Sequence, residues 1–463
     1  MTNSVVLVCL DSVRKDYFDR FAERLTERSD VRYRQCRAAS SWSVPSHASM
    51  LTGTLPSRHG IHTYNPDYRT LPTADTFLDD LPTHTTLGVS ANVYASHAFG
   101  FDTHFDEFVS VSPNKRFPRG LDVEEFSRVA DSEGARYYFQ FLRAALGHDH
   151  PAASLANGTL AQLSHLADRL PVATPFDDGA RAVAREARRL VARTDGPFFL
   201  FLNMMDAHVP NRPVRAYDES LYDAPATWSS SDLPKWDINR AETLDEYETD
   251  LGRFRDLYGA SIDYLDRVVD SLIDDLERAT DEDVTVVVTA DHGENLGYDA
   301  DDGQLGHDSS VSEGLMHVPL CVVNPPEPTT RDTDAFVSHL SLGDLMAGLG
   351  TGETPDVGAE RIAGERIGTP NLEALADQER WNLGYRCVYE GERKTVCRSD
   401  GTVEHHELDH ERANWSTVVE RDGECDHPAF EGDLAEIVAT SASDRSETPD
   451  AVTDRLSRLG YRA

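Results

Sequence analysis

The stretch VTVVVTADHG, residues 284–293, opens with a run of β-branched residues and ends in three polar or conformationally special ones, Asp291, His292 and Gly293. A continuous apolar run of this length suits a strand covered on both faces, as in a parallel sheet sandwiched by helices. Three further stretches have the same character: VVLVCL (5–10), FFLFLNM (198–204) and VPLCVV (318–323), with LGVSANV (87–93) a weaker one. Between them lie helical patterns. DGARAVAREARRLVART (178–194) leads into 198–204. Residues 246–279 place Leu251, Phe254, Tyr258, Ile262, Leu265, Val269, Leu272 and Leu276 at helical intervals before 284. Strand, helix, strand alternation predicts an α/β fold with a central, mostly parallel sheet flanked by helices and right-handed crossovers.

The pattern changes after about residue 340. RCVYEGERKTVCRSDGTVEHHELD (386–409) reads as short antiparallel strands with turns at Glu390–Gly391 and Asp400–Gly401. The expected organisation is a catalytic domain over 1–340, with a helical and loop insertion at about 110–175, and a smaller C-terminal α+β subdomain over 341–463. The Ser/Asp/Thr-rich segment 440–453 reads as a loose loop.

Composition narrows the setting. The 463 residues carry a formal charge of −37, and lysine occurs only at Lys15, Lys115, Lys235 and Lys394, so nearly all basic residues are Arg. Such a chain suits concentrated salt, where repulsion between acidic side chains is screened. The acidic residues are spread throughout with no acidic tail, which argues against a nucleic-acid mimic. The same balance argues against a basic nucleic-acid-binding surface. Hydrophobic residues make up 39% of the chain, enough for a large globular core. Of the six cysteines no two have CxxC spacing, which argues against a zinc ribbon. Cys9 and Cys321 lie in apolar runs; Cys387 and Cys397 could face each other across a hairpin, and reduced thiols are the default in cytosol. No signal-peptide pattern is found, and the apolar run 5–10 is too short to span a bilayer. The expected location is the cytoplasm, with no integral membrane segment.

In open α/β sheets, ligands sit beyond the carboxyl ends of the strands. Here VVLVCL ends at Asp11, VTVVVTA at Asp291–His292, and FFLFLNM runs to Asp206 and His208. Any one of these aspartates could simply cap a helix or turn. Together they make a set of carboxylates and imidazoles suited to a divalent cation. SWSVPSHASMLTG (41–53) adds a helix with Pro45 in its first turn and Gly53 at its end, so that Ser43 falls at the helix N-terminus, where an anion is favoured. A hydroxyl there can ligate a metal and attack a tetrahedral phosphorus or sulfur.

The ordered motifs VLVCLDSVRKD, SVPSHASMLTGTLPSRHG, VVVTADHGENLG and GHDSSVSEGLMHVPL, followed by SHLSLGDLMAGLG and ERKTVCRSDGTVEHHELDHERANW, resemble the sulfatase branch of the alkaline-phosphatase superfamily. The resemblance covers nearly the whole chain except 110–195. It implies metal ligation by Asp11, Ser43, Asp291 and His292, with Ser43 in the nucleophile position. It implies a substrate or leaving-group role for His208, and a basic active-site position for His307. His47 falls where sulfatases usually place an arginine. Arg14 and His317 lie close to matching motifs, as does His59.

Three departures carry consequences. Conversion of the nucleophile to formylglycine requires the arginine that His47 replaces, so Ser43 is expected to remain an unmodified serine. Ser12 stands where a second aspartate is usual, and one fewer carboxylate favours manganese or zinc over calcium, although calcium remains open. The lysines that help bind sulfate in many sulfatases have no evident counterpart. A second metal could use Asp206 with His208 and one of His307 or His317. The expected function is metal-dependent hydrolysis of a small-molecule or glycan sulfate or phosphate ester. The alternatives are a phosphoryl-group or phosphoglycerol-type transferase acting on a glycan or lipid acceptor, and a non-catalytic metal-binding protein.

Overall fold

The computed structural model describes residues 2–443 except 113–114, 124–125, 128–129, 131–133, 168–170, 281–283, 308–309, 328, 330, 371–376 and 410. Residues 444–453 of the Ser/Asp/Thr-rich segment lie outside the described residues, and 440–443 end the helix Leu434–Ser443.

Fifteen strands are found among the described residues. They are β1 (Val5–Leu10), β2 (Val31–Arg37), β3 (Thr85–Ser90), β4 (Glu107–Ser110), β5 (Phe198–Met204), β6 (Thr285–Thr289), β7 (Asn295–Leu296), β8 (Leu305–Gly306), β9 (Leu320–Val323), β10 (Arg331–Ser338), β11 (Arg361–Arg366), β12 (Tyr385–Glu390), β13 (Arg393–Arg398), β14 (Val403–Leu408) and β15 (Ser416–Glu420). Eight form the central sheet, in the order β10-β2-β9-β6-β1-β5-β3-β4. β9 pairs antiparallel with both its neighbours, and the other pairings are parallel. The apolar run 318–323 signals burial on both faces, which says nothing of direction. β9 reverses because it follows the short helix Glu313–Met316 rather than a full crossover helix.

β1, β5 and β6 are buried at every position, which is why their sequences lack alternation. The register aligns their ends: Cys9 faces Asn203 on one side and Thr289 on the other. Asp11, Asp291 and the Asp206–His208 turn therefore emerge at one edge. The long helix Glu248–Thr280 buries Leu251, Phe254, Tyr258, Ile262, Leu265, Val269, Leu272 and Leu276. The helix Ala180–Val191 also packs in this core, as does Leu342–Thr351 through Leu342, Leu345, Met346 and Leu349.

A second, antiparallel sheet runs β11-β12-β13-β14-β15. Its turns carry Gly391 at φ 58° and Gly401 at φ 88°, the left-handed region where glycine is favoured. Cys387 pairs with Val396 and Cys397 with Arg386, so those two thiols are not opposite one another, and all six cysteines are free. Among the described residues no helix is long and apolar enough to cross a membrane.

Candidate active site

Ser43 is the first residue of the helix Ser43–Thr52, which ends at Gly53 in the left-handed conformation (φ 65°). The side chains of Asp11, Ser43, Asp291 and His292 are all buried. One ligand atom each from Asp11, Asp291 and His292 lies within 4.8 Å of the others, a group able to hold a metal ion. Ser43 Oγ stands 3.2 Å from His292 Nε2. Four positions separated by up to 281 residues in sequence thus meet at the carboxyl edge of the sheet.

Each member is oriented by a neighbour. Asp291 Oδ1 accepts the backbone N–H groups of Ser12 (3.1 Å) and His292 (2.9 Å). Asn92, just past β3, donates its side-chain amide to Asp11 Oδ2 at 2.7 Å. The His292 Nδ1 contact with the Gly293 carbonyl, 2.8 Å, assigns Nδ1 as the donor and leaves Nε2 as the lone-pair nitrogen beside Ser43. Burial pushes both Asp11 and Asp291 up to about 6, with Asp291 adding to the rise at Asp11. Burial likewise lowers His292, against the pull of Asp11.

A second imidazole layer adjoins this group. The ring of His307 lies 4.6 Å from that of His292 and 5.1 Å from that of His208. His307 Nδ1 is 3.0 Å from the fully buried Glu294. Burial holds His307 well below the usual histidine range, helped by His292, His208, Lys235 and Arg366. His208 Nδ1 contacts the Val209 carbonyl at 2.5 Å. His47 is buried between Cys9 Sγ (3.6 Å) and Asp291 Oδ2 (3.8 Å), and burial pushes it down to about 3.

Two cations absent from the sequence reasoning also reach this layer. Arg366, from β11 of the small sheet, is fully buried and donates to the His307 carbonyl at 2.7 Å and to Ser41 Oγ at 3.0 Å. Lys235, in the short helix Lys235–Ile238, is lowered to about 8 by burial, opposed by Glu294 and reinforced by Arg366. Glu294 sits inside a quoted motif and Asn92 at a strand end, so the strand-end rule could have found both. Nothing local in the sequence marks Arg366 or Lys235.

Other predicted residues are placed elsewhere. Asp206 accepts the N–H groups of Asp178 (3.1 Å) and Ala180 (3.0 Å), tying the loop before helix Ala180–Val191 to the end of β5. It belongs to no metal-capable group among the described residues. Each of its oxygens accepts one backbone donor. Asp206→Ala is expected to cost about 1–3 kcal/mol of stability, from the two donors left unpaired, read as a lower urea midpoint without loss of bound metal. His317 contacts the Arg34 carbonyl at 2.8 Å, and Asn414 beside it bonds the His317 carbonyl, so it packs between the sheets. Arg14 pairs with Asp16 and Asp301 and donates to the Glu294 carbonyl at 3.1 Å, bracing the loop that carries Asp291 and His292. His59 bonds Ser49 Oγ of the helix Ser43–Thr52 at 3.1 Å.

The family model for sulfatases matches residues 3–351. The chain belongs to the sulfatase family. This sulfatase-family chain is 26% identical over 183 residues to the uncharacterized sulfatase YidJ of Escherichia coli, a match spanning 38% of this chain and 35% of YidJ. Its fold is similar to that of the phosphonate monoester hydrolase of Agrobacterium radiobacter, with a TM-score of 0.56 at 16% identity over 99% of this chain and 95% of that one. It is equally similar to BT4656, solved in complex with its substrate D-glucosamine-2-N,6-O-disulfate, with a TM-score of 0.56 at 12% identity over 88% and 91% of the two chains. At these identities the two structures speak for the fold.

Proposed function

We propose that this chain is a metal-dependent hydrolase of sulfate or phosphate esters with Ser43 as its nucleophile. The observation that carries the reading is the meeting of Asp11, Asp291 and His292 within ligand distance, with Ser43 Oγ 3.2 Å from His292. The donor set fits a divalent cation. Asp291 Oδ2 is buried and accepts no hydrogen bond, and such a carboxylate oxygen is costly without a cation. Two carboxylates, an imidazole and a hydroxyl suit manganese or zinc, with calcium next. When bound, such an ion lowers the Ser43 hydroxyl pKa and neutralises charge on the attacked group.

Ser43 then reacts as the alkoxide, its proton passed to bulk water. Its Oγ forms a bond to phosphorus or sulfur while the ester oxygen departs. His208, its ring oriented by the contact of Nδ1 with the Val209 carbonyl, serves as the general acid that protonates the leaving oxygen. Water attacks the serine adduct, returning a proton to His208 and restoring Ser43. Lys235 and Arg366 supply positive charge beside His307, where the non-bridging oxygens are held. A plain serine adduct lacks the hemiacetal collapse open to formylglycine. That tilts the chemistry towards phosphorus, while family membership tilts it towards sulfate. The same reading places the enzyme in the cytoplasm of a salt-rich cell, supported by the −37 charge.

The test is activity on nitrophenyl sulfate, phosphate, phosphodiester and phosphonate at high salt with manganese, zinc or calcium, followed by peptide mass spectrometry across Ser43. Turnover with an unmodified or phosphorylated Ser43 supports the reading; an inert protein with every ester and ion rejects it. Lys235→Met is expected to raise KM roughly tenfold or more through loss of a charged hydrogen bond, with a smaller change in kcat. An unchanged KM would remove Lys235 from substrate binding.

A further inference from the structure

Beneath Asp11 lies a second convergence of ligand atoms. Cys9 Sγ, His47 Nε2 and a carboxylate oxygen of Asp291 lie within 4.8 Å of one another, all three residues being buried. The separations are 3.6 Å from Cys9 to His47 and 3.8 Å from His47 to Asp291 Oδ2. The side-chain amide of Asn203, facing Cys9 across the β1–β5 register, lies 3.4 Å from His47 Nε2. A tetrahedral ion with bonds of about 2.0–2.3 Å separates its ligands by roughly 3.3–3.8 Å. The sulfur–nitrogen spacing of 3.6 Å falls within that range, and the nitrogen–oxygen spacing of 3.8 Å stands at its upper end.

Hydrogen bonding alone explains this cluster poorly. The 3.8 Å between His47 Nε2 and Asp291 Oδ2 is too long for a hydrogen bond, and Asn203 Oδ1 is buried without a hydrogen-bond partner. An unpaired buried polar atom is costly and calls for an account. The oxygen and nitrogen of an asparagine amide are interchangeable in assignment, so Asn203 can present its oxygen to the same point. A thiolate, an imidazole and a carboxylate form a donor set for zinc-like, thiophilic ions, unlike the oxygen-rich group above it.

We propose that Cys9, His47 and Asp291, with Asn203 as fourth donor, form an inner site for a thiophilic divalent cation. Asp291 is shared between this site and the outer one at Asp11 and His292. The inner site rests on the proposed function only through that shared carboxylate. Its ion sits in the core, one residue pair below Asp11 on β1, and acts on the outer site by fixing Asp291. His47 is then a ligand and positioning residue.

Cobalt distinguishes the two sites. The host is the full chain with Cys397→Ser and Cys425→Ser, which removes the two half-buried thiols as accidental ligands. Metal-stripped host titrated with Co²⁺ is expected to take up two equivalents and to develop a thiolate-to-cobalt charge-transfer band. Cys9→Ser should lose one equivalent and the band. Asp11→Asn should lose the other equivalent and keep the band. Zinc-loaded host should show one sulfur scatterer at about 2.3 Å by X-ray absorption, a readout that needs no substitution at the site. One equivalent without a thiolate band, and a zinc shell of nitrogen and oxygen alone, would overturn the inner site and leave the outer one standing. A band that Asp11→Asn leaves as the sole cobalt signal, with no second equivalent in the host, would reject the outer site instead.

Discussion

Ser43→Ala is expected to lower kcat by about 10⁴-fold or more on whichever ester the protein hydrolyses, because removal of a nucleophile deletes the step rather than weakening it. The fold should survive. Ser43 is a small buried side chain at the first position of its helix, and alanine preserves the shape of the site. Steady-state kinetics with the best ester, alongside thermal unfolding and metal content, separate the outcomes. Full activity in the alanine variant would show that Ser43 is a bystander and that water attacks directly. The same experiment with Ser43→Thr asks whether a hydroxyl alone suffices.

Glu313→Gln is expected to destabilise the protein by about 3–5 kcal/mol, the usual result of removing one partner from a buried ion cluster. Glu313 Oε1 accepts from Lys394 Nζ at 2.8 Å and from the Tyr389 hydroxyl at 2.7 Å, and Oε2 faces Arg37 Nε at 3.0 Å. Arg37 belongs to β2 of the large sheet, Tyr389 and Lys394 to β12 and β13 of the small one. The cluster therefore fastens one sheet to the other. Glutamine leaves Arg37 and Lys394 buried without an opposing charge. Burial pushes the Glu313 carboxyl up, but Arg37 and Lys394 more than offset it and hold it well below the usual carboxylate range. A depressed folded pKa gives stability that is present above the unfolded value of about 4.3 and is lost as pH falls below it. Urea unfolding in high salt should thus show a large gap between native and variant proteins at neutral pH that narrows on acidification. A gap independent of pH would mean that packing, not charge, carries the effect.

The parallel core was legible because its strands are buried on both faces. Val5–Leu10, Phe198–Met204 and Thr285–Thr289 could hardly be anything else once helices were seen between them. Asp11, Asp291, His292 and Ser43 were legible for a related reason: strand ends and a helix start are positions that a sequence pattern marks. Direction was not legible for β9, since hydrophobicity is blind to polarity of the chain. The missed residues have a common cause. Arg366 comes from a different sheet, 323 positions after Ser43, and Lys235 from a one-turn helix in an otherwise irregular segment. Tertiary folding alone carries them to the site. Asp206 also holds a strand-end position, yet its oxygens serve backbone amides.

The strand that delivers Arg366 lies past residue 351, where the match to the family ends. A clone trimmed to the recognisable part would still encode the serine and both aspartates, but would lack the guanidinium that bonds Ser41 and the His307 carbonyl. Directed evolution towards new esters can begin with the residues of that outer sheet around Arg366, which reaches Ser41 and the His307 carbonyl.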